Sequence, residues 1–175
     1  MDKKHSVKIE NGMINFSCVK HLCQHSCCGP FSGVTSNITN VENRPFEEIV
    51  LVKEDYENIY ASGYMDLVEE GFSVQTGKRY YKMALEADGT CKALSNGLCS
   101  INSVKPTLCK AFPFYIDMFS GLCAIDCEGF SDNYWTDIED CRYALEAAKK
   151  MYEFWIDFYL SDGGSLLSDR QINEE

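Results

Sequence analysis

The sequence predicts an α+β fold in which irregular cysteine-rich segments and short hairpins are organised by bound metal and closed by one long C-terminal amphipathic helix. Three observations carry that expectation. Ten cysteines stand among 175 residues. The tight-turn pairs Asp88-Gly89 and Asn96-Gly97 punctuate short apolar runs. Apolar residues then recur at three and four residues from Asp137 to about Leu160.

The segment spanning 1–45 reads as irregular, its cysteine cluster running into Gly29-Pro30 and a Ser/Thr/Asn/Gly stretch. Val50, Leu51 and Val52 form a short apolar run. The stretch from Glu54 to Glu70 places Tyr56, Ile59, Tyr60, Tyr64 and Leu67 at helical spacing, with Gly71 as its stop and Gly63 weakening its middle. Phe72 to Ala87 reads as a strand pair about a Thr76-Gly77 turn, with Arg79 to Met83 as the better strand. Tyr115 to Asp117 and Leu122 to Ile125 make a further hairpin. The closing helix is expected over 136–162, started by the capping box Thr136-x-x-Glu139 and followed by Gly163-Gly164. Its apolar stripe is Ile138, Cys141, Leu145, Ala148, Tyr152, Trp155, Ile156 and Tyr159, which makes Cys141 a core thiol before it is a ligand. The tail, 165–175, is expected to fray.

At 19.9 kDa the chain, 1–175, reads as a single domain long enough to bury a core without disulfides. Its opening residues hold no unbroken apolar stretch of about 7–15 residues, so they do not read as a secretory signal. No window reaches the roughly 18–20 apolar residues of a membrane span. A cytoplasmic protein is therefore expected, with no membrane partner. In that reducing compartment dense cysteine reads as metal or redox chemistry before a disulfide framework. The net charge of −11 repels phosphate backbones, so no nucleic-acid partner is expected.

Eight of the cysteines form two groups, Cys18-x4-Cys23-x3-Cys27-Cys28 and Cys91-x7-Cys99-x9-Cys109-x17-Cys127. Adjacent Cys27 and Cys28 point in different directions, which implies two centres, or one centre and a neighbour. Tetrahedral sulfur coordination suits zinc and an iron–sulfur cluster alike. His21 and His25 interleave with the front group and could replace a thiolate on zinc; the plainer reading is hydrogen-bonded loop histidines. Gly89-Thr90-Cys91, Gly97-Leu98-Cys99 and Gly121-Leu122-Cys123 repeat a turn two residues ahead of a cysteine, which aims backbone N–H groups at sulfur; ordinary hairpins with small buried cysteines are the alternative. Lys105 and Lys110 bracket Cys109, where cations lower a thiol's pKa, or else they are solvated. Phe112-Pro113-Phe114 is expected to pack the shell around a metal. No GxxxxGKS or strand-borne GxGxxG appears, so nucleotide enzymes of those kinds are unsupported.

In order, Cys18 to Cys28, Asp88-Gly89-x-Cys91-x-x-Leu94-x-x-x-Gly97-x-Cys99-x-Ile101, Lys105-Pro106-x-x-Cys109-Lys110-x-x-Pro113 and Cys127-x-Gly129 resemble the CxxCxxCC cysteine-cluster family, whose YkgJ-like members are described as zinc- or iron-chelating domains. The likeness covers 16–130. The chain departs from that pattern in its wider front spacing and in lysine at 105 and 110, which lacks arginine's planar, two-pronged hydrogen bonding. The wider front is similar to that of flagellin lysine-N-methylases, much longer enzymes that bring an iron–sulfur cluster and S-adenosylmethionine. By matching position the resemblance implies Cys18, Cys23, Cys27, Cys28, Cys91, Cys99, Cys109 and Cys127 as metal ligands, with zinc or an iron–sulfur cluster as cofactor. Three functions follow: metal binding; a metal-dependent enzyme modifying a protein or peptide, for example by lysine methyl transfer; and an exported disulfide protein.

Overall fold

Two left-handed residues set the first element: Asn11 (φ 51°) and Gly12 (φ 78°) turn the chain between strands β1, Ile9–Glu10, and β2, Met13–Ile14. A two-residue hairpin loop needs positive φ at both positions, and Asn-Gly supplies it at least cost. The computed structural model describes residues 7–18, 28–29, 48–124, 127 and 129–161. Within them the fold is α+β, as expected, although part of the front that reads as irregular is this hairpin.

Antiparallel β3, Val50–Leu51, β5, Arg79–Met83, and β4, Val68–Phe72, form a three-stranded sheet with β5 in the middle. Helix α1 is Lys53–Ala61. The single helix expected over Glu54 to Glu70 is thus corrected: Gly63 takes φ 79°, a short 3-10 turn follows at Met65–Leu67, and the chain enters β4 at Val68. The strand pair consequently begins earlier than Phe72, with Val68 opposite Met83 and Phe72 opposite Arg79. Gly77, at φ 67°, lies in the expected turn.

Strands β6, Leu94–Ser95, and β7, Leu98–Cys99, close on Asn96-Gly97, where both residues again have positive φ. Helix α2, Thr107–Ala111, leads to the hairpin of β8, Phe114–Asp117, and β9, Gly121–Ala124. Short β10, Thr136–Asp137, joins β2, and helix α3 spans Ile138–Leu160. Thr136 and Asp137 both pair with β2, and the cap is Asp137 in place of Thr136: its carboxylate accepts the Glu139 N–H at 3.0 Å.

Burial on α3 falls on Cys141, Ala147, Ala148, Met151 and Phe158. The expected stripe is therefore rotated in the second half of the helix, where Met151 and Phe158 are buried and Tyr152, Ile156 and Tyr159 are only half covered. Lys78, itself 6% exposed, donates from Nζ to the Phe158 and Ser161 carbonyls, each at 2.7 Å, and to Ser161 Oγ at 3.1 Å. The loop between β4 and β5 thus anchors the end of α3. Among the described residues no helix is long and apolar enough to cross a membrane.

Two buried clusters divide the interior. One holds Ile14, Phe16, Ala111, Phe114, Ala124, Phe130 and the first half of α3. The other holds Ile49, Leu51, Ile59, Met83, Ala93 and Ile101. The cysteines are divided between them.

Candidate metal centre

Cys28, Cys91 and Cys109 are each less than a tenth exposed and belong to the second cluster, against which half-buried Cys99 packs. Backbone pairing explains how residues so far apart in sequence meet. The Cys91 N–H donates to the Cys28 carbonyl at 2.8 Å, and Cys91 also bridges to Leu85 across the loop of Asp88-Gly89. The Cys91 carbonyl accepts the Leu94 N–H at 2.9 Å, and Leu94 faces Cys99 across β6 and β7. Cys109 arrives on α2. The expected turns ahead of Cys91 and Cys99 form, with Gly89 at φ 84° and Gly97 at φ 76°.

Helix α2 is held from outside. Asp55, 2% exposed on the first turn of α1, accepts the Thr107 N–H at 2.9 Å on Oδ2 and the Thr107 hydroxyl at 2.8 Å on Oδ1. Its Oδ2 also accepts the Val52 N–H at 3.3 Å. Burial pushes the Asp55 carboxyl above its ordinary value, while those hydrogen bonds and the charge of Lys110 pull it down. The charge of Lys110 acts on Asp55 and Glu54.

Cys127 and Cys141 lie in the first cluster, and exposed Cys18 is close enough to act on the Cys141 thiol. The bridge of Phe16 to Phe130 and the hydrogen bond from Ser17 N–H to the Gly129 carbonyl, at 2.9 Å, bring the entry to the front group alongside Cys127. The Gly129 N–H points at Cys127 Sγ at 3.5 Å, the donor-to-sulfur arrangement expected of the earlier turns. Burial first, then nearby Asp140 and Cys18, push the Cys141 thiol up, in keeping with a core thiol. Phe112 and Phe114 pack in this cluster, the one that also holds Cys127 and Cys141.

Gly129 is fixed by contact. A Cβ there would stand 2.6 Å from the Phe16 ring and 2.7 Å from the Ser17 carbonyl oxygen, and the latter is backbone with little room to move. Gly129→Ala should therefore lower stability by about 1–3 kcal/mol, read as an earlier urea midpoint at unchanged slope; an unaltered midpoint would show that the Phe16–Phe130 bridge is looser than drawn.

The third turn serves differently. Cys123 faces Tyr115 across β8 and β9, and the Tyr115 hydroxyl is pushed up to about 12 by burial, with Cys123 and Asp117 adding to the shift. Cys23, Cys27, His21 and His25 lie outside the described residues, as does the tail expected to fray. Among the described residues no three cysteine, histidine or carboxylate side chains come together in a set able to hold a metal ion. No disulfide joins two described cysteines.

Sequence reasoning misses Asp55, whose signal was present as a carboxylate three residues after Val52 at a helix start. It also misses the sorting of the cysteines, because residues neighbouring in sequence, Cys18 and Cys28, go to different clusters. The described residues form an α+β fold whose buried cysteines fall in two separate clusters. No family model, no curated protein and no solved structure matches this chain.

Proposed function

We infer that the chain is a metal-binding cysteine-cluster protein holding zinc or an iron–sulfur cluster. The observation that carries this reading is the hydrogen bond from Cys91 N–H to the Cys28 carbonyl, which fastens the front group to the segment bearing Cys91, Cys99 and Cys109. Buried thiolates are costly without a positive partner, and a metal ion is the largest positive charge a site can hold. One centre is assigned to the neighbourhood of Cys28, Cys91, Cys99 and Cys109, and a second to that of Cys18 and Cys127. Cys23 and Cys27, which lie outside the described residues, complete the set of eight candidate ligands. The order of the blocks shared with the CxxCxxCC family supports the same reading, and a reducing cytoplasm is the compartment that suits it. The acidic charge argues against nucleic acid and anionic membranes as partners.

A second reading is a metal- or iron–sulfur-dependent enzyme acting on a protein or peptide, as in lysine methyl transfer. One observation favours it: Cys18 is exposed beside buried Cys127 and Cys141, so that neighbourhood opens to solvent, as a working centre requires.

Anaerobic purification followed by elemental analysis, sulfide determination and an absorption spectrum tests both. At least one equivalent of bound metal is expected. Iron with sulfide and broad visible absorption identifies a cluster, and colourless protein with zinc identifies a thiolate site. Metal-free protein with no titratable thiols would overturn the reading in favour of disulfides.

A further inference from the structure

The geometry points to Asp55 as the positioning residue of Cys109, an assignment that rests on the metal-binding reading above. Helix α2 has five residues, too few to hold its own phase, since a first helical turn fixes several dihedrals for one hydrogen bond. Its Lys110 N–H bonds to the Pro106 carbonyl at 3.0 Å, and its first residue is gripped by both oxygens of Asp55. A single oxygen would leave α2 able to swivel about one hydrogen bond. Two oxygens, one on the backbone N–H and one on the hydroxyl of the same threonine, fix its rotation.

Cys109 lies two residues beyond Thr107, roughly 200° around the helix axis, so rotation at Thr107 swings the sulfur through the buried cluster shared with Cys28 and Cys91. Thr107 is 4% exposed, so solvent cannot take over the restraint. Burying a carboxylate is expensive, and an apolar side chain would pack there at less cost but without direction. Asp55 already receives three protein hydrogen bonds, which leaves it an orienting group and not a ligand.

Asp55→Asn tests the assignment, because asparagine keeps the size but offers one accepting oxygen where two are used. Two readouts are taken: the rate at which excess EDTA strips metal from the purified protein, and the alkylation rate of each cysteine by iodoacetamide in the protein as purified, followed by mass spectrometry. Metal loss should accelerate about 10- to 100-fold, the usual cost of removing a group that orients a ligand. Alkylation should rise at Cys109 and stay unchanged at Cys123. Lys78→Met, which loosens the end of α3 without touching α2, is the comparison, with denaturant added until the two variants are equally stable. Equal rates of metal loss in the two, or alkylation rising equally at Cys109 and Cys123, would reduce Asp55 to a general stabiliser and overturn the assignment. Should Asp55→Asn fail to fold, Thr107→Val removes only the hydroxyl bond and is read in the same two ways. A wild-type protein without metal would sink the metal-binding reading by itself, while the alkylation pattern would still decide whether Asp55 orients Cys109.

Discussion

On the metal-binding reading, Cys91→Ser and Cys109→Ser are each expected to lose bound metal and to destabilise the protein by about 4 kcal/mol, the largest effects this molecule should show. Both thiols are buried among Ile49, Ile59, Met83 and Ile101, and each is fixed by backbone that cannot easily retreat. A hydroxyl of similar size binds neither zinc nor iron as a thiolate does, and at such sites the free energy of metal binding is largely free energy of folding. On that reading the fold loses an organising centre and keeps a poorly satisfied hydroxyl in its place. Cys123→Ser is the contrast: its neighbour is Tyr115 on a self-contained hairpin, and its effect should stay within about 1 kcal/mol with metal retained. Metal content per chain and urea midpoints of the three variants, measured side by side, check this. Full metal content in both Cys91→Ser and Cys109→Ser would remove these residues from the ligand set.

How much of this was legible in the sequence depends on the range over which each signal acts. The closing helix reads clearly because its apolar period persists over 23 residues, long enough to average out single exceptions. Its start is misplaced by one residue because Thr136 and Asp137 both pair with β2, a contact across most of the chain, and the helix begins only at Ile138. The helix expected through Glu70 fails at Gly63, where local propensity pointed to a break but the tyrosines continued the periodic pattern beyond it. Asn11-Gly12 was a sound hairpin signal, yet strands of two residues carry too little alternation to be recognised beside it. For the candidate site, the turns before Cys91 and Cys99 are local chemistry and read correctly. The division of cysteines is not local. Which cluster each thiol joins is set by pairings such as Phe16 with Phe130 and Leu85 with Cys91, and spacing alone does not encode them.

Lys78 shows the same limit from the side of stability, and Lys78→Met should cost about 2–3 kcal/mol. A lysine two residues after Thr76 in a polar turn reads as solvated, whereas here it is 6% exposed with three acceptors around Nζ. Helix α3 has no basic residue in its last turn, so the carbonyls left over at its end have no cation of their own. The Lys78 ammonium supplies one from the sheet and also stands 5.7 Å from the centre of the Phe158 ring. Methionine keeps the unbranched stem and most of the volume, which isolates the charge and its hydrogen bonds from packing. Each charged hydrogen bond is worth roughly 1.5–3 kcal/mol, but returning the ammonium's burial cost offsets much of their sum. What remains is dominated by the Phe158 carbonyl, left buried without its donor, since exposed Ser161 can turn to water. The loss should be local before it is global. Amide exchange should quicken in the last two turns of α3 while the backbone around Cys91 and Cys109 keeps its protection, because the anchor lies at the far end of the helix from the turn bearing Cys141. Exchange rising evenly along the chain, or a midpoint identical to that of the wild type, would mean that the end of α3 is held by its aromatic packing against Tyr80, Phe154 and Trp155 and not by this lysine.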